Sequence, residues 1–332
     1  MEEFATFVGL SRPTVSKFFN DPKSVRAGTR KKIEAAIESS GFRPNLFAVN
    51  LKRRRTRVLG LIIPNTTDPF YMELTRSIEQ IAEQEGYFTF MLSSNGRPEL
   101  EAEALGRLQS LNVAGAIVVP LGSDRCSAEL VRFESRVPLV YVDSPPDDDV
   151  PFVGTDNDQS FGLIVDYLCR LGEAPCYLGM PAINRNAKSR RRAYEKAMNK
   201  VGKTPHVISL PNELTWDFEK FGYDVTRHTI DAGLPTNTIL CANDRIAFGA
   251  VLAAWKAGIP VGHTANCRLR IAGHDDHPLS RYTCPPLTTV AQNYEEIALR
   301  AMRKLIARLD NDGGDEEDYI LLRGELILRD SA

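Results

Sequence analysis

No window of the 332 residues approaches the roughly 18 consecutive apolar side chains that a membrane-spanning helix needs, so no such span is expected. The opening Met1-Glu2-Glu3 lacks the basic-then-apolar layout of a secretory signal. Six cysteines, at positions 126, 169, 176, 241, 267 and 284, include no C-x-x-C pair, which argues against a disulfide framework and against a zinc ribbon and suits a reducing cytoplasm. There is no phosphate-cradling Walker loop, no nucleophile elbow and no dinucleotide fingerprint. His274-Asp275-Asp276-His277 offers metal-type side chains, but their spacing after a strand fits neither a zinc site nor a facial triad. The acidic run Asp310–Asp318 lacks EF-hand spacing and reads as a solvated loop. These gaps exclude the common catalytic and metal-dependent classes; neither enzyme activity nor a cofactor is expected.

What is present is unevenly distributed. Residues 1–57 carry 13 Lys/Arg and 5 Asp/Glu, a balance of +8, while the remainder carries −10. A small basic head on a larger acidic body suits a chain that touches a polyanion at one end only. At 43% apolar residues the chain can bury more than one core.

Inside the head, Phe4, Ala5, Phe7 and Val8 place apolar groups on one side of a short helix that Gly9 is suited to end. Ser11 reads as the N-cap of a second helix through Arg12-Pro13-Thr14-Val15-Ser16-Lys17-Phe18-Phe19. Pro13 sits in the first turn, where a missing N–H costs little. Asn20-Asp21-Pro22 breaks the chain, and a third helix follows with Ile33, Ala36 and Ile37 facing in, Arg30, Lys31 and Lys32 facing out, and Gly41 closing it. Helix, three-residue turn, helix is the spacing that lets one helix brace while the next enters a major groove.

Three segments in order, Gly9-Leu10-Ser11-x-x-Thr14-Val15-Ser16-Lys17-x-x-Asn20, then Val25-x-x-x-Thr29-Arg30-x-x-Ile33, then Gly41-Phe42-x-Pro44-Asn45, resemble the LacI family of bacterial repressors. The resemblance implies that Arg12 and Pro13 meet base edges with Lys17 one turn on, and that Ser11, Thr14, Ser16 and Asn20 lie at the phosphate backbone. Arg12 has the geometry to grip guanine O6 and N7 together; a phosphate contact alone is the other reading. Pro13 cannot donate, so base choice there rests on shape or thymine-methyl contact. The family has residues ahead of the first helix that are not seen here, so either the native start lies upstream or that helix frays.

The next stretch, Asn45-Leu46-Phe47-Ala48-Val49-Asn50-Leu51, precedes Lys52-Arg53-Arg54-Arg55. The resemblance implies a hinge that folds on operator DNA, with Asn45, Ala48, Leu51 and Lys52 in contact and Leu51 from each of two subunits wedged into the minor groove. An apolar wedge unstacks a base step, and the bend brings more cations to the backbone. A flexible basic linker is the plainer alternative.

From Val58 the chain alternates apolar runs with helical patterns. Strands are expected at 58–63, 88–93, 115–119, 138–142, 176–179, 207–210, 238–242, 269–272 and 288–291. Helices are expected at 70–86, 99–111, 160–172, 189–201, 218–232, 244–257 and 293–309. Continuous apolar strands separated by helices imply parallel sheets covered on both faces, and two similar halves accommodate this many strands. The expected fold is α/β: a three-helix helix-turn-helix head and hinge, then a two-lobed core of two doubly wound parallel sheets like the periplasmic binding proteins. The expected divisions are 1–44 for the head and 45–57 for hinge and linker. Residues 58–158 with 291–317 form the first lobe, and 159–290 with 318–332 the second.

Ligands of open α/β sheets bind beyond the carboxyl ends of the strands, which selects the loops starting at Pro64, Asp143, Pro181, Cys241 and Gly273. The resemblance extends over essentially the full chain and implies a sugar-like effector. Arg190 would donate a bidentate pair, Asp275 would accept from hydroxyls, and Asn243 would bridge. Trp216 and Phe70 would stack on ring faces, and Asn157, Asn186 and Gln292 would complete the lining. Aromatic plates beside paired donors and acceptors suit a sugar. Plainer readings stand beside these: Asp156 and Asp244 as helix caps, Trp216 as packing within its lobe, and one only of Arg190, Arg191 and Arg192 facing the cleft.

The expected function is a ligand-responsive transcription regulator that binds a palindromic DNA operator as a homodimer through two heads, with the helix near 70–84 at the dimer interface. With no apolar heptads after Gly324–Arg329, no tetramer-forming tail is expected. A solute-binding transport protein would share the core but predicts a signal peptide and no basic head. Leu51→Ala is expected to weaken specific operator binding while sparing effector affinity; unchanged operator affinity in a titration would discard the wedge.

Overall fold

The computed structural model describes residues 2–20, 22–42, 56–122, 127–147, 149–310 and 318–332, in two compact units, Met1–Arg57 and Val58–Ala332.

In the head, α1 (Glu2–Val8), α2 (Arg12–Asn20) and α3 (Ala27–Ser40) surround a small core of Phe4, Ala5, Val8, Val15, Phe18, Val25 and Ile33. Phe42 stacks on Phe4 with ring centroids 4.1 Å apart, tying the end of the head to its first helix. Gly41 ends α3 in the left-handed conformation (φ +63°) and its N–H reaches Ile37 O at 2.9 Å, a conformation open to glycine at little cost. Phe7 departs from expectation: it is 62% exposed, because a seven-residue helix cannot turn four consecutive-face apolar positions onto so small a core.

The larger unit contains two parallel sheets. The first has the order β11-β5-β4-β3-β1-β2, built from β1 (Val58–Ile63), β2 (Phe88–Ser93), β3 (Gly115–Val118), β4 (Leu139–Val142), β5 (Phe152–Thr155) and β11 (Tyr319–Leu322). The second has the order β7-β6-β8-β9, from β6 (Cys176–Leu178), β7 (His206–Val207), β8 (Thr238–Cys241) and β9 (Arg270–Ala272). A two-stranded antiparallel ribbon pairs β10 (Thr289–Ala291) with β12 (Glu325–Ile327). The central strands are buried end to end, as continuous apolar runs require when helices cover both faces.

Helices α4 (Pro69–Gln84), α5 (Pro98–Ser110), α6 (Ser127–Glu134) and α11 (Tyr294–Asp310) belong to the first lobe, and α7 (Asn157–Leu171), α8 (Arg185–Lys200), α9 (Phe218–Ala232) and α10 (Asp244–Lys256) to the second. Side chains cap α4, α7, α8, α9 and α10: Asp68, Asp156, Asn184, Asp217 and Asn243 each accept a backbone N–H of the first turn. Asp156 is therefore the cap that the sequence suggests, whereas α10 is capped by Asn243 and not by Asp244.

Four of these elements were not expected from the sequence, the ribbon strand Glu325–Ile327 among them. Phe152–Thr155 is a four-residue strand between Pro151 and the α7 cap, too short to display a period. The eight-residue α6 lies in a segment where no helix was expected. Tyr319–Leu322 pairs in parallel with Phe152–Thr155, so the expected assignment of all of 318–332 to the second lobe is corrected: residues 319–322 extend the first sheet, and the chain then crosses to β12. The C-terminal Ala332 does join the second-lobe core. No helix among the described residues is long and apolar enough to cross a membrane.

Ile33 is fully buried at the centre of the head. Ile33→Ala should cost the head about 2–4 kcal/mol, read as faster amide exchange across α1–α3 with protection in the two sheets unchanged.

Candidate DNA-binding face and effector cleft

On the head, α2 buries Val15 and Phe18 and leaves Ser11, Arg12, Pro13 and Lys17 exposed, with Thr14 and Ser16 half-buried. Ser11 behaves as the expected cap region: its Oγ lies 2.8 Å from Thr14 Oγ1 and accepts from Thr14 N at 3.4 Å. Arg12 Nη1 donates to Glu2 Oε1 at 2.8 Å, an exposed pair that DNA phosphates or base edges can displace at little cost. Asn20 ends α2, and its side chain is not among the described features. The hinge residues Asn45, Ala48, Leu51 and Lys52 lie outside the described residues.

In the core, the loops that follow β1, β4, β6, β8 and β9 converge on one cleft between the lobes, as the rule for carboxyl-terminal strand ends requires. Seven of the eight expected ligand residues line it: Phe70, Asn186, Arg190, Trp216, Asn243, Asp275 and Gln292. The cavity among these side chains is small, about 30 Å³.

Asn157 does not join this lining. Its Nδ2 donates to Ser189 Oγ at 3.1 Å and faces Asn186 Oδ1 at 3.5 Å, bridging α7 to α8 beside a neighbouring cavity. It lies in the first turn of α7, which the α7–α8 packing turns toward α8.

The cleft is organised by Arg190 and Asp275. Arg190 Nη2 donates to Asp275 Oδ1 at 2.9 Å and Nη1 to Ala242 O at 2.8 Å, with the arginine side chain 5% exposed. Gln292 Nε2 donates to the same Asp275 oxygen at 2.7 Å, and Tyr294 Oη donates to Asp275 O at 2.6 Å. His274 Nδ1 lies 2.9 Å from that carboxylate; a carboxylate only accepts, so Nδ1 carries the proton. Burial opposes ionisation of Asp275, but Arg190, His274 and Gln292 outweigh it and hold the carboxyl below its ordinary range. Burial and the nearby Arg190 lower His274, which stays neutral and stacks on Phe161. Asp275 is held at φ +127° and Asp276 at φ +51°, backbone conformations that non-glycine residues rarely adopt and that gather at binding sites. Arg190 thus takes the inward place, while Arg191 pairs with Glu195 at the surface and Arg192 is exposed.

Six further lining residues were not singled out from the sequence: Asp68, Tyr71, Asp143, Met180, Asn184 and Phe218. Asp143 bridges the lobes, accepting from Asn186 Nδ2 at 2.9 Å and from Tyr71 Oη at 3.3 Å. Burial pushes its carboxyl up to about 6, against the pull of Arg190. Asp68 caps α4 and also meets Arg245 of the second lobe, whose Nη1 donates to it at 3.0 Å. Arg245 holds Glu219 at 2.6 Å and lies 5.1 Å above the Phe218 ring, so its charge is fully partnered although buried. The position of Asp143 directly after an apolar strand, and of Asn184 in the loop after β6, was the available signal; the Asp68–Arg245 pair, 177 residues apart, left none.

Behind the lining, Asp244 is wholly buried and accepts from Ser280 Oγ at 2.6 Å, Thr289 Oγ1 at 2.6 Å and His277 N at 2.8 Å. Burial and the nearby Asp275 push its carboxyl up to about 7. A Cβ on Gly273 would stand 2.1 Å from Asp244 Oδ1, so only glycine fits there. Neither a helix cap nor a cleft residue, Asp244 ties α10 to the segment beyond β9. Among the described residues no group of three His, Cys, Asp or Glu side chains could hold a metal; His274 and His277 serve the bonds above.

A two-lobed α/β cleft with aromatic walls and convergent polar groups, together with a basic helix-turn-helix unit, defines a ligand-responsive DNA-binding regulator. The family description "Bacterial regulatory proteins, lacI family" matches residues 1–45, and "Periplasmic binding proteins and sugar binding domain of LacI family" matches residues 56–271. The HTH-type transcriptional regulator RegA of Clostridium saccharobutylicum is 31% identical over 100% of this chain and 98% of its own. The ribose operon repressor of Escherichia coli K12 is 29% identical over 93% of this chain and 92% of its own. Among solved structures, the lac repressor dimer bound to operator and the anti-inducer ONPF shares the fold, with a TM-score of 0.85 at 23% identity over 99% of this chain and 97% of that one. The chain belongs to the LacI family; it is a transcription regulator and not an enzyme.

Asp143 keeps its proton to about pH 6 in the folded core against an ordinary value of 3.8. Between those values the folded chain binds more protons than the unfolded one, so this group's contribution to stability falls as pH rises from about 4 to about 6. Asp143→Asn should therefore exceed the parent in thermal stability at pH 7–8, by on the order of 2 kcal/mol, with the gap closing toward pH 4. A gap independent of pH would remove the ionisation argument.

Proposed function

We propose that the chain represses or activates transcription in the cytoplasm as a homodimer. Each head would dock α2 in the major groove of one operator half-site, and a small polyhydroxylated effector in the interlobe cleft would control the dimer. The observation that carries this reading is the meeting of Phe70, Asn186, Arg190, Trp216, Asn243, Asp275 and Gln292 around one cleft, in a chain whose other unit exposes Arg12, Pro13 and Lys17 on one helix. The functional divisions would be a head to residue 44, a hinge at 45–57, and two lobes, with residues 319–322 counted in the first.

In this reading Arg12 reads a guanine, Pro13 supports shape selection and Lys17 lies one turn further along the same base-reading side, while Ser11, Thr14, Ser16 and Asn20 contact the backbone. Asn45, Ala48, Leu51 and Lys52 act at the operator centre. The regulator CelR, solved as a cellobiose complex, covers 100% of this chain at a TM-score of 0.69, and a family member from Enterococcus faecium was solved with bound ribose; both support a sugar-class effector. Phe88 and Phe90 on the edge strand β2 and Met72 on α4 are exposed, an apolar patch suited to the dimer contact of the first lobes. Closure of the lobes alters the angle between the paired first lobes and so the hinge, a coupling of about 1–3 kcal/mol being sufficient for a switch.

The experiment is thermal unfolding against sugars, polyols, sugar acids and purines, since a ligand at 100 times its Kd adds roughly 2.7 kcal/mol. With a hit in hand, Asp275→Ala should abolish the effector's influence on operator binding, read by fluorescence anisotropy of labelled DNA, and weaken effector binding about a hundredfold or more. The variant should remain a DNA-binding dimer. A folded Asp275→Ala protein that no longer binds DNA in the absence of effector would show the residue to be misplaced.

A further inference from the structure

Reading the cleft as the effector site, its charge restricts the effector's class. The carboxylates of Asp68, Asp143 and Asp275 line it, against Arg190 as the one cation among the described lining residues. That guanidinium is already bonded to Asp275 and to Ala242 O. Arg245, behind Asp68, is held between Asp68 and Glu219. Helix N-termini often cradle phosphate, and three open here, but side-chain oxygens of Asp68, Asn184 and Asn243 already take the N–H groups of Phe70, Ala187 and Ile246.

What remains for a ligand is a mixed set. Asp275 Oδ2 accepts no hydrogen bond among the described residues, and Asp143 Oδ2 has only the 3.3 Å contact from Tyr71. On the donor side stand the Arg190 Nε–H, buried and without a partner, and the side-chain NH₂ groups of Asn184 and Asn243. A hydroxyl donates and accepts, so it can use both kinds of group. A phosphate or carboxylate only accepts, and would stand among three like charges in a site withdrawn from water.

We propose that the effector is a polyhydroxylated compound with no anionic group, and that the cleft rejects the phosphorylated and carboxylated counterparts of the compound it accepts. An ammonium in place of a hydroxyl is compatible with the same carboxylates.

The test uses the full chain and isothermal titration with matched sets: a neutral pentose, hexose or polyol, its amino-deoxy form, its acid and its phosphate. The tightest binder is expected in the neutral or amino group, with the matching acid and phosphate at least tenfold weaker. Asp143→Asn should narrow that gap; should this variant fail to fold, the comparison on the parent protein still decides. An acid or phosphate that binds within tenfold of its neutral counterpart, or more tightly, overturns the charge inference. A neutral binder whose affinity ignores both Asp275→Ala and Asp143→Asn sits elsewhere, which overturns the effector-cleft reading on which the inference rests. Silence from every compound overturns that reading as well.

Discussion

Charged groups withdrawn from water between two lobes need partners, and that constraint shapes the core more than any other. Asp68, Asp143, Asp244 and Asp275 are gathered where the ends of the strands meet, and each has a different solution. Asp275 is held ionised by Arg190, His274 and Gln292; Asp68 is shared with Arg245; Asp244 is bonded by two hydroxyls and a backbone N–H. Asp143 rests on Asn186 and a longer contact from Tyr71, and burial pushes its carboxyl up to about 6. Removing one partner of the Arg190–Asp275 or the Asp68–Arg245 pair would strand a buried charge, a loss on the order of 3–5 kcal/mol. The same bonds span the lobes through Asp68–Arg245 and Asp143–Asn186, so these contacts join the two lobes beside the cleft.

The head follows a different economy of forces. It has few residues to bury, and phenylalanines link its core: Phe4, Phe19 and Phe42 are in mutual ring contact, and Phe18 meets Phe19 edge-on. The core holds α2 by Val15, Phe18 and Phe19, leaving the opposite side of the helix to polar and basic groups. Exposed polar or basic positions and buried apolar ones are thus interleaved along nine positions of one helix. The exposed Arg12–Glu2 pair costs little to open, in contrast with the buried pairs of the core. One unit presents charge to solvent and the other locks it away, which matches the opposite signs of their net charge.

Much of the fold was legible because its strongest signals are local. Val58–Ile63 and Leu139–Val142 are unbroken apolar runs, and the periodic helices 218–232 and 244–257 were placed to within a residue. Phe152–Thr155 and Tyr319–Leu322 escaped notice because four-residue strands carry no readable period and become strands only by pairing with each other. The cleft divides the same way. Asp275 stands in a loop selected by the strand-end rule and Arg190 in the helix that follows another, whereas Asn157, next to a cap at a helix start, turns toward α8 instead of the ligand space.

Read alone, the sequence carries the family, the order of the units, the basic second helix of the head and the set of strand-end loops that meet in the cleft. These follow from short-range patterns: caps, periodicity, apolar runs and motif spacing. Only the tertiary structure decided which of three adjacent arginines turns inward, that Asp244 is a buried anchor and Asn243 the cap, and that Asp68 finds Arg245 across 177 residues. Such choices depend on which groups are deprived of water together, and that is a property of packing between distant segments, not of any one segment's composition.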